Sequence, residues 1–213
     1  MSLLETSLPD DVDERLSLVP PASEAAPVPD LDAAEDAARA FLRALGVDCD
    51  TLSTVRSPRR MAHAYAEMLT PREFELTTFP NDEGYDELVV VCDIPFQSIC
   101  EHHLLPFTGV AHVGYLPGER ILGLSKFARV VERFARRPKV QERLTKQVAD
   151  WLDHELGARG VGVVIEAEHS CMSLRGARVA GATTRTTALT GAIRTDPAVR
   201  AEFLAAIDRR RVA

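Results

Sequence analysis

The stretch SICEHHLLPF at 98–107 puts a thiol, a carboxylate and two imidazoles side by side. Cys100 and His103 are three residues apart, a common spacing for two ligands of one zinc ion. Alone that is a weak signal. His169-Ser170-Cys171 supplies a second thiol–imidazole group far along the chain. Brought together, Cys100, His103 and Cys171 give two thiolates and one imidazole, with a fourth position open to water. That is the pattern of a catalytic zinc. His102 and His169 would then stand beside the metal, where a general acid or base belongs. Cys92 is the alternative: as a fourth ligand it would close the site and make it structural. It lies in an apolar run, which suits a core thiol better. His112 and His154 read as ordinary hydrogen-bonded histidines, and Glu101 as either solvated or part of the site.

Elements must carry these groups to one place. ELVVVCDI (87–94) is a short apolar run fit for a buried strand, and FTGVAHVGYL (107–116) is another, ending at a Pro-Gly turn signal. VGVVIEAEHSCM (161–172) alternates as a strand does, which would put His169 and Cys171 on one face. TTRTTALTGAI (183–193) reads as a Thr-rich strand. Between the strand pairs lie two helices. From Ser125 the apolar positions are Phe127, Val130, Val131 and Phe134, a helical stripe with Lys126, Arg129 and Arg133 beside it. Past Pro138 a second stripe runs Val140, Leu144, Val148, Trp151 and Leu152, with Gly157 as C-cap. Helices are also expected from Leu31 to Gly46, over 57–69 with Ser57 as N-cap, and over 196–207 with Asp196 as N-cap and Pro197 in the first turn. Residues 70–85 read as loop. The order of elements predicts an α+β fold with an antiparallel sheet.

With 213 residues, 46% of them hydrophobic, the chain has material for a real core. No run of about 18 apolar residues is present, so no membrane span is expected. The N-terminus shows no secretory pattern, and four scattered cysteines do not resemble a disulfide framework. These features point to a cytoplasmic protein with no membrane partner. Residues 1–30 hold seven acidic groups against Arg15, and five of the 13 prolines. They read as a disordered tail. Residues 120–143 run the other way, with eight basic side chains against Glu132 and Glu142. A cluster of this kind in a near-neutral body suits a small anionic ligand, or is simply a solvated helix face. Phe127 and Phe134 fall on the apolar stripe, so nothing interleaves for nucleic acid.

Three motifs, CEHHLLPFTG (100–109), GLSKFARVVERFARRPKVQERLT (123–145) and HSCMSLRG (169–176), resemble GTP cyclohydrolase I. The resemblance runs from about Ser57 to Leu204. It implies a catalytic domain over 57–213, preceded by a helical segment over 31–56. It implies the tunnelling fold, in which oligomerisation joins antiparallel sheets, each with its two tandem helices, into a barrel. The assembly would be a homo-oligomer, a decamer of two pentamers, with active sites between subunits. The implied reaction converts GTP and water to 7,8-dihydroneopterin triphosphate and formate, with Zn2+ activating water for attack at guanine C8. The family's ligand positions fall on Cys100, His103 and Cys171, and its proton-transfer histidines on His102 and His169. Gln141 and Glu142 match its guanine contacts. Ser125, Lys126, Arg129 and Arg175 match its ribose and triphosphate contacts, with Ser125 read as the cap of a helix start. Arg60 matches a phosphate contact. The chain departs from the family at His63, where a lysine is usual, at Lys139 in place of Gln, and at Ile193 in place of Phe. Two other readings remain: a same-fold enzyme acting on a related purine or deazapurine through a metal-free cysteine, and a non-catalytic zinc-binding oligomer.

Overall fold

A computed structural model describes residues 28–208. The acidic tail expected over residues 1–30 lies outside them up to residue 27. Asp30 is already structural: its carboxylate accepts from the Ala33 N–H at 2.9 Å and caps α1 (Leu31–Ala44). Gly46, at φ 81°, ends that helix in the left-handed region where glycine carries no Cβ penalty. In α2 (Ser57–Leu69) the cap position is Arg56 rather than Ser57, and no side chain bonds there. Pro58 falls in the first turn, where its missing N–H costs nothing. The loop expected over 70–85 contains β1 (Thr78–Pro80), which pairs with β4 (Arg120–Leu122). Three-residue strands carry too short a periodicity to be legible.

The main sheet runs in the order β5-β2-β3-β6-β7. Its members are β2 (Val89–Cys100), β3 (Pro106–Leu116), β5 (Pro138–Lys139), β6 (Gly160–His169) and β7 (Thr183–Leu189). All neighbours are antiparallel except β5, which lies parallel to the end of β2. The α+β expectation therefore holds. Side chains alternate across the sheet as a period of two requires. Val163 and Ile165 face α3 (Leu124–Ala135) and α4 (Gln141–Leu156), in a core with Phe107, Phe127, Leu144 and Leu152. Val164 faces the other way, into a second core with Leu116, Ile193, Phe203 and Ile207. That core is covered by α6 (Gly191–Thr195) and α7 (Pro197–Asp208). Gly114 and Gly162 make room for the Phe203 ring, since a Cβ on either would come within 2.8 Å of it. Cys92 belongs to this second core, with its thiol toward Ala206 O at 3.9 Å, as the core-thiol reading required.

Four boundaries differ from expectation, the first three of them at the site. The second strand does not stop at Ile94 but continues to Cys100. A register shift between Val91 and Ile94, with Asp93 at φ 55°, absorbs the irregularity, and Pro95 continues in the strand. The helix after β4 is capped by Gly123, so Ser125 lies inside its first turn and is not the cap. β6 ends at His169, and residues Ser170–Ser173 form one helical turn, α5. His169 and Cys171 therefore do not share a strand face. The Thr-rich strand also ends early, at Leu189, because Gly191 at φ 48° opens α6.

Candidate active site

The site is built at one end of the sheet, where β2 hands over to β3. Cys100 is the last residue of β2, and residues 101–103 turn back toward β3. The turn is held from inside: Leu104 N–H donates to Cys100 O at 2.8 Å and Cys100 N–H to Leu105 O at 2.9 Å. Leu104 takes φ 52°, a conformation that costs a non-glycine residue about 1–2 kcal/mol. The Tyr65 hydroxyl on α2 donates to Leu104 O at 3.0 Å and helps hold the tip. His102 and His103 are both exposed on this turn, their rings edge to face.

Two other chain segments converge here. β6 pairs with β3 so that His169 stands opposite Phe107, and the one-turn α5 that follows carries Cys171. The result joins the three ligands expected from sequence: one donor atom each from Cys100, His103 and Cys171 lies within 4.8 Å of the others. Cys100 Sγ is 3.9 Å from His103 Nδ1 and 4.0 Å from His102 Nδ1. A tetrahedral zinc with ordinary bond lengths spaces sulfur and nitrogen donors about 3.5–3.8 Å apart. The donor set is thus near the size the ion needs. The charges agree: burial pushes the Cys171 thiol up, and the neighbouring Cys100 adds to the shift. Two thiols sharing one small space resist becoming two thiolates until a cation joins them.

His169 is fixed on two sides. Its ring stacks on Phe107, with centroids 4.4 Å apart and planes within 5°. Its Nε2 lies 2.9 Å from Gln141 Oε1. Burial lowers its pKa, and the nearby Glu142 carboxylate works against that shift. β5 explains the proximity. Its pairing sets Lys139 beside Cys100, so α4 begins next to the metal group with Gln141 and Glu142 in its first turn. Gln141 is only 2% exposed, whereas Glu142 is open to solvent. Glu142 does not pair with Lys139 or Arg143 here, since Lys139 Nζ bonds Gln147 at 2.6 Å and Arg143 pairs with Glu101 at 2.8 Å.

Of the remaining expected contacts, Arg175 lies near enough to Cys171 to favour its thiolate, and the others line separate concavities or lie beside them. Ser125 and Arg129 line a concavity with Phe96, Arg72 and Glu132. Glu132 there is shared by Arg72 at 2.7 Å, Arg136 at 2.9 Å and Arg129 at 3.4 Å. Lys126 follows Ser125 in the first turn of α3. Arg60 lines a separate concavity with Arg56, Arg59 and His63. Glu142 lines a third, with Thr145, Lys146 and Thr186. Arg175 is exposed just beyond α5. Sequence reasoning did not identify Phe107 as the platform under His169, nor Thr145 and Thr186 behind Gln141. A phenylalanine or threonine carries no chemical signature, and only the strand register at Phe107 and Thr186 and the packing of α4 on β7 at Thr145 could have exposed them.

Comparison with known proteins points to one family. The sequence model of one family, GTP cyclohydrolase I, matches residues 34–208. A protein of Rhodopirellula baltica called GTP cyclohydrolase 1 is 51% identical over 180 residues, covering 82% of this chain and 78% of its own. One of the same name from Aquifex aeolicus is 48% identical, covering 82% of this chain and 95% of its own. Another, from Mycolicibacterium gilvum, is 51% identical, covering 85% and 94%.

Proposed function

Because the chain belongs to the GTP cyclohydrolase I family, we propose that its Cys100–His103–Cys171 centre converts GTP and water to 7,8-dihydroneopterin triphosphate and formate. The observation that carries this reading is the convergence of three metal-ligand atoms within 4.8 Å of one another, with His102 on the same turn and His169 on the adjoining strand. Cys100, His103 and Cys171 would hold Zn2+. A bound zinc supplies the Lewis acidity that makes water nucleophilic toward guanine C8 near neutral pH.

The chain's own residues do the rest. Glu142 is exposed in the first turn of α4, and its carboxylate accepts from the guanine N1–H and exocyclic amine. Adenine offers no such pair of donors, so this contact selects the base. Gln141 stands behind it at the same guanine end of the site. His102, exposed on the ligand turn, and His169, on the strand, carry protons to and from ring nitrogens and the ribose oxygen. Both act as neutral imidazoles for accepting and as imidazolium for donating. Ser125, Lys126, Arg129, Arg175 and Arg60 receive the ribose and triphosphate, for which guanidinium groups give bidentate contacts. Within one chain Ser125 and Arg129, Arg60, and Glu142 line three separate concavities, which fits a homo-oligomer in which neighbours complete each site, the decamer of two pentamers that the family resemblance implies. No nucleic-acid or membrane partner is called for, and the place of action is the cytoplasm. Among the described residues no helix is long and apolar enough to cross a membrane.

The test is incubation of the zinc-loaded protein with GTP, following formate and the pterin together. Equal amounts of both are expected. Formate without pterin would mean that the reaction stops before ring closure. Neither product, with zinc bound, would leave a zinc-binding oligomer as the better reading.

A further inference from the structure

We infer that Gln141 is a positioning residue: its amide holds His169 with the proton on Nε2 and Nδ1 bare, and Thr186 and Thr145 hold the amide. This rests on the proposed role of His169 in proton transfer. The amide nitrogen of Gln141 faces only acceptors on its protein side. Its two protons are shared among Ile165 O at 3.0 Å, Thr184 O at 2.9 Å and Thr186 Oγ1 at 3.1 Å. Two of these are backbone carbonyls, which cannot donate. A flipped amide would set oxygen against oxygen and orphan both carbonyls in a buried place, at a cost of about 1–3 kcal/mol for each. The orientation of the amide therefore follows from chemistry, not from the look of the side chain. Oε1 is left to face His169 Nε2 at 2.9 Å, and an oxygen of this kind only accepts. The His169 proton must then sit on Nε2, and the neutral ring presents Nδ1 as its free base.

The hydroxyls behind the amide close the set. Thr145 Oγ1 donates to Gln141 O at 2.8 Å, one turn back on α4. Its own oxygen is then free to accept from Thr186 Oγ1, 2.5 Å away, whose lone pair takes the Gln141 amide proton. Each hydroxyl proton in this chain of bonds has one place to go, and the two amide protons are shared among three acceptors. The Phe107 stack fixes the ring plane, so orientation and tautomer are both set before substrate arrives. With its amide spent inside the fold, Gln141 acts through His169, and reading of the base falls to the exposed Glu142. The family resemblance alone would have given both residues the same job.

The experiment uses the full, zinc-loaded chain labelled with 15N-histidine, sedimented and read by solid-state NMR, with His169→Ala supplying the assignment. The His169 signals should show a protonated Nε2 and a bare Nδ1 at neutral pH in the wild type. They should lose that pattern in Gln141→Leu. Kinetics on the same samples should show kcat down about 10- to 100-fold, the usual cost of losing a supporting contact. KM for GTP and zinc content should stay within about twofold. Thr186→Val should shift kcat in the same direction by a smaller factor, and it serves as the readout if Gln141→Leu does not fold. A proton on Nδ1 in the wild type overturns the inference whatever the activity. So does a Gln141→Leu protein whose KM rises about tenfold at unchanged kcat, which is the signature of a base contact. If the wild type releases no formate, the functional reading fails, and the tautomer signal still decides the role of Gln141.

Discussion

Neighbouring histidines on one turn are assigned different work, and substitution separates them. His103 contributes a ligand atom to the three-donor group, and His102 does not. His103→Ala should lose bound zinc, measured by metal analysis, and turnover with it. His102→Ala should keep a full complement of zinc while formate release falls about 10²- to 10⁴-fold, the range expected for a lost proton carrier. Cys171→Ala should behave like His103→Ala, and a chain that still bound zinc tightly after that change would sink the ligand assignment. At this scale the sequence was generous. Reactive residues are few and chemically distinctive, so spacing and type alone singled out Cys100, His103, Cys171, His102 and His169. It was silent on Phe107, Thr145 and Thr186, whose chemistry is ordinary and whose importance comes only from what they touch.

Elements place these residues, and their packing sets how firmly. Phe203 on α7 is fully buried between the glycines of β3 and β6. Phe203→Ala should destabilise the fold by about 3–5 kcal/mol in denaturant unfolding. Its ring lies in the second core, away from the α3 and α4 face, so zinc content at room temperature should be unchanged. The β2–β3 turn gives a second case. Leu104 occupies a left-handed conformation at φ 52°, so Leu104→Gly relieves strain while freeing the unfolded chain. These effects nearly cancel, and the midpoint of unfolding should move little. Strands and helices with long periodic stripes were readable in advance, as α3 and α4 were. Some ends were readable too, such as the Gly157 cap of α4 and the span of α2, but others were not, because they are set by local bonds. Cys171 leaves the strand since α5 starts at Ser170, and β2 passes Pro95 because the bulge at Asp93 resets its register.

For the whole molecule, the expected outcome in sedimentation is a particle of about ten chains, and formate release should fall as dilution breaks it apart. A stable, active monomer would contradict the shared site. A chain lacking residues 1–29, which keeps the Asp30 cap of α1, should match the full chain in turnover within about twofold; a larger loss would give the acidic segment a role. The sequence by itself pointed to a Cys-His-Cys group that could bind a metal and determined the class of fold. A thiol–imidazole ligand set and the alternation of apolar residues are local properties, written in residue types and short spacings. Only the tertiary structure decided which residues do the positioning. Gln141 faces His169 because β5 pairs with the end of β2, and His169 stacks on Phe107 because β6 takes one register against β3. Both are pairings between distant segments, fixed by the burial of two cores and recorded in no short stretch of the chain.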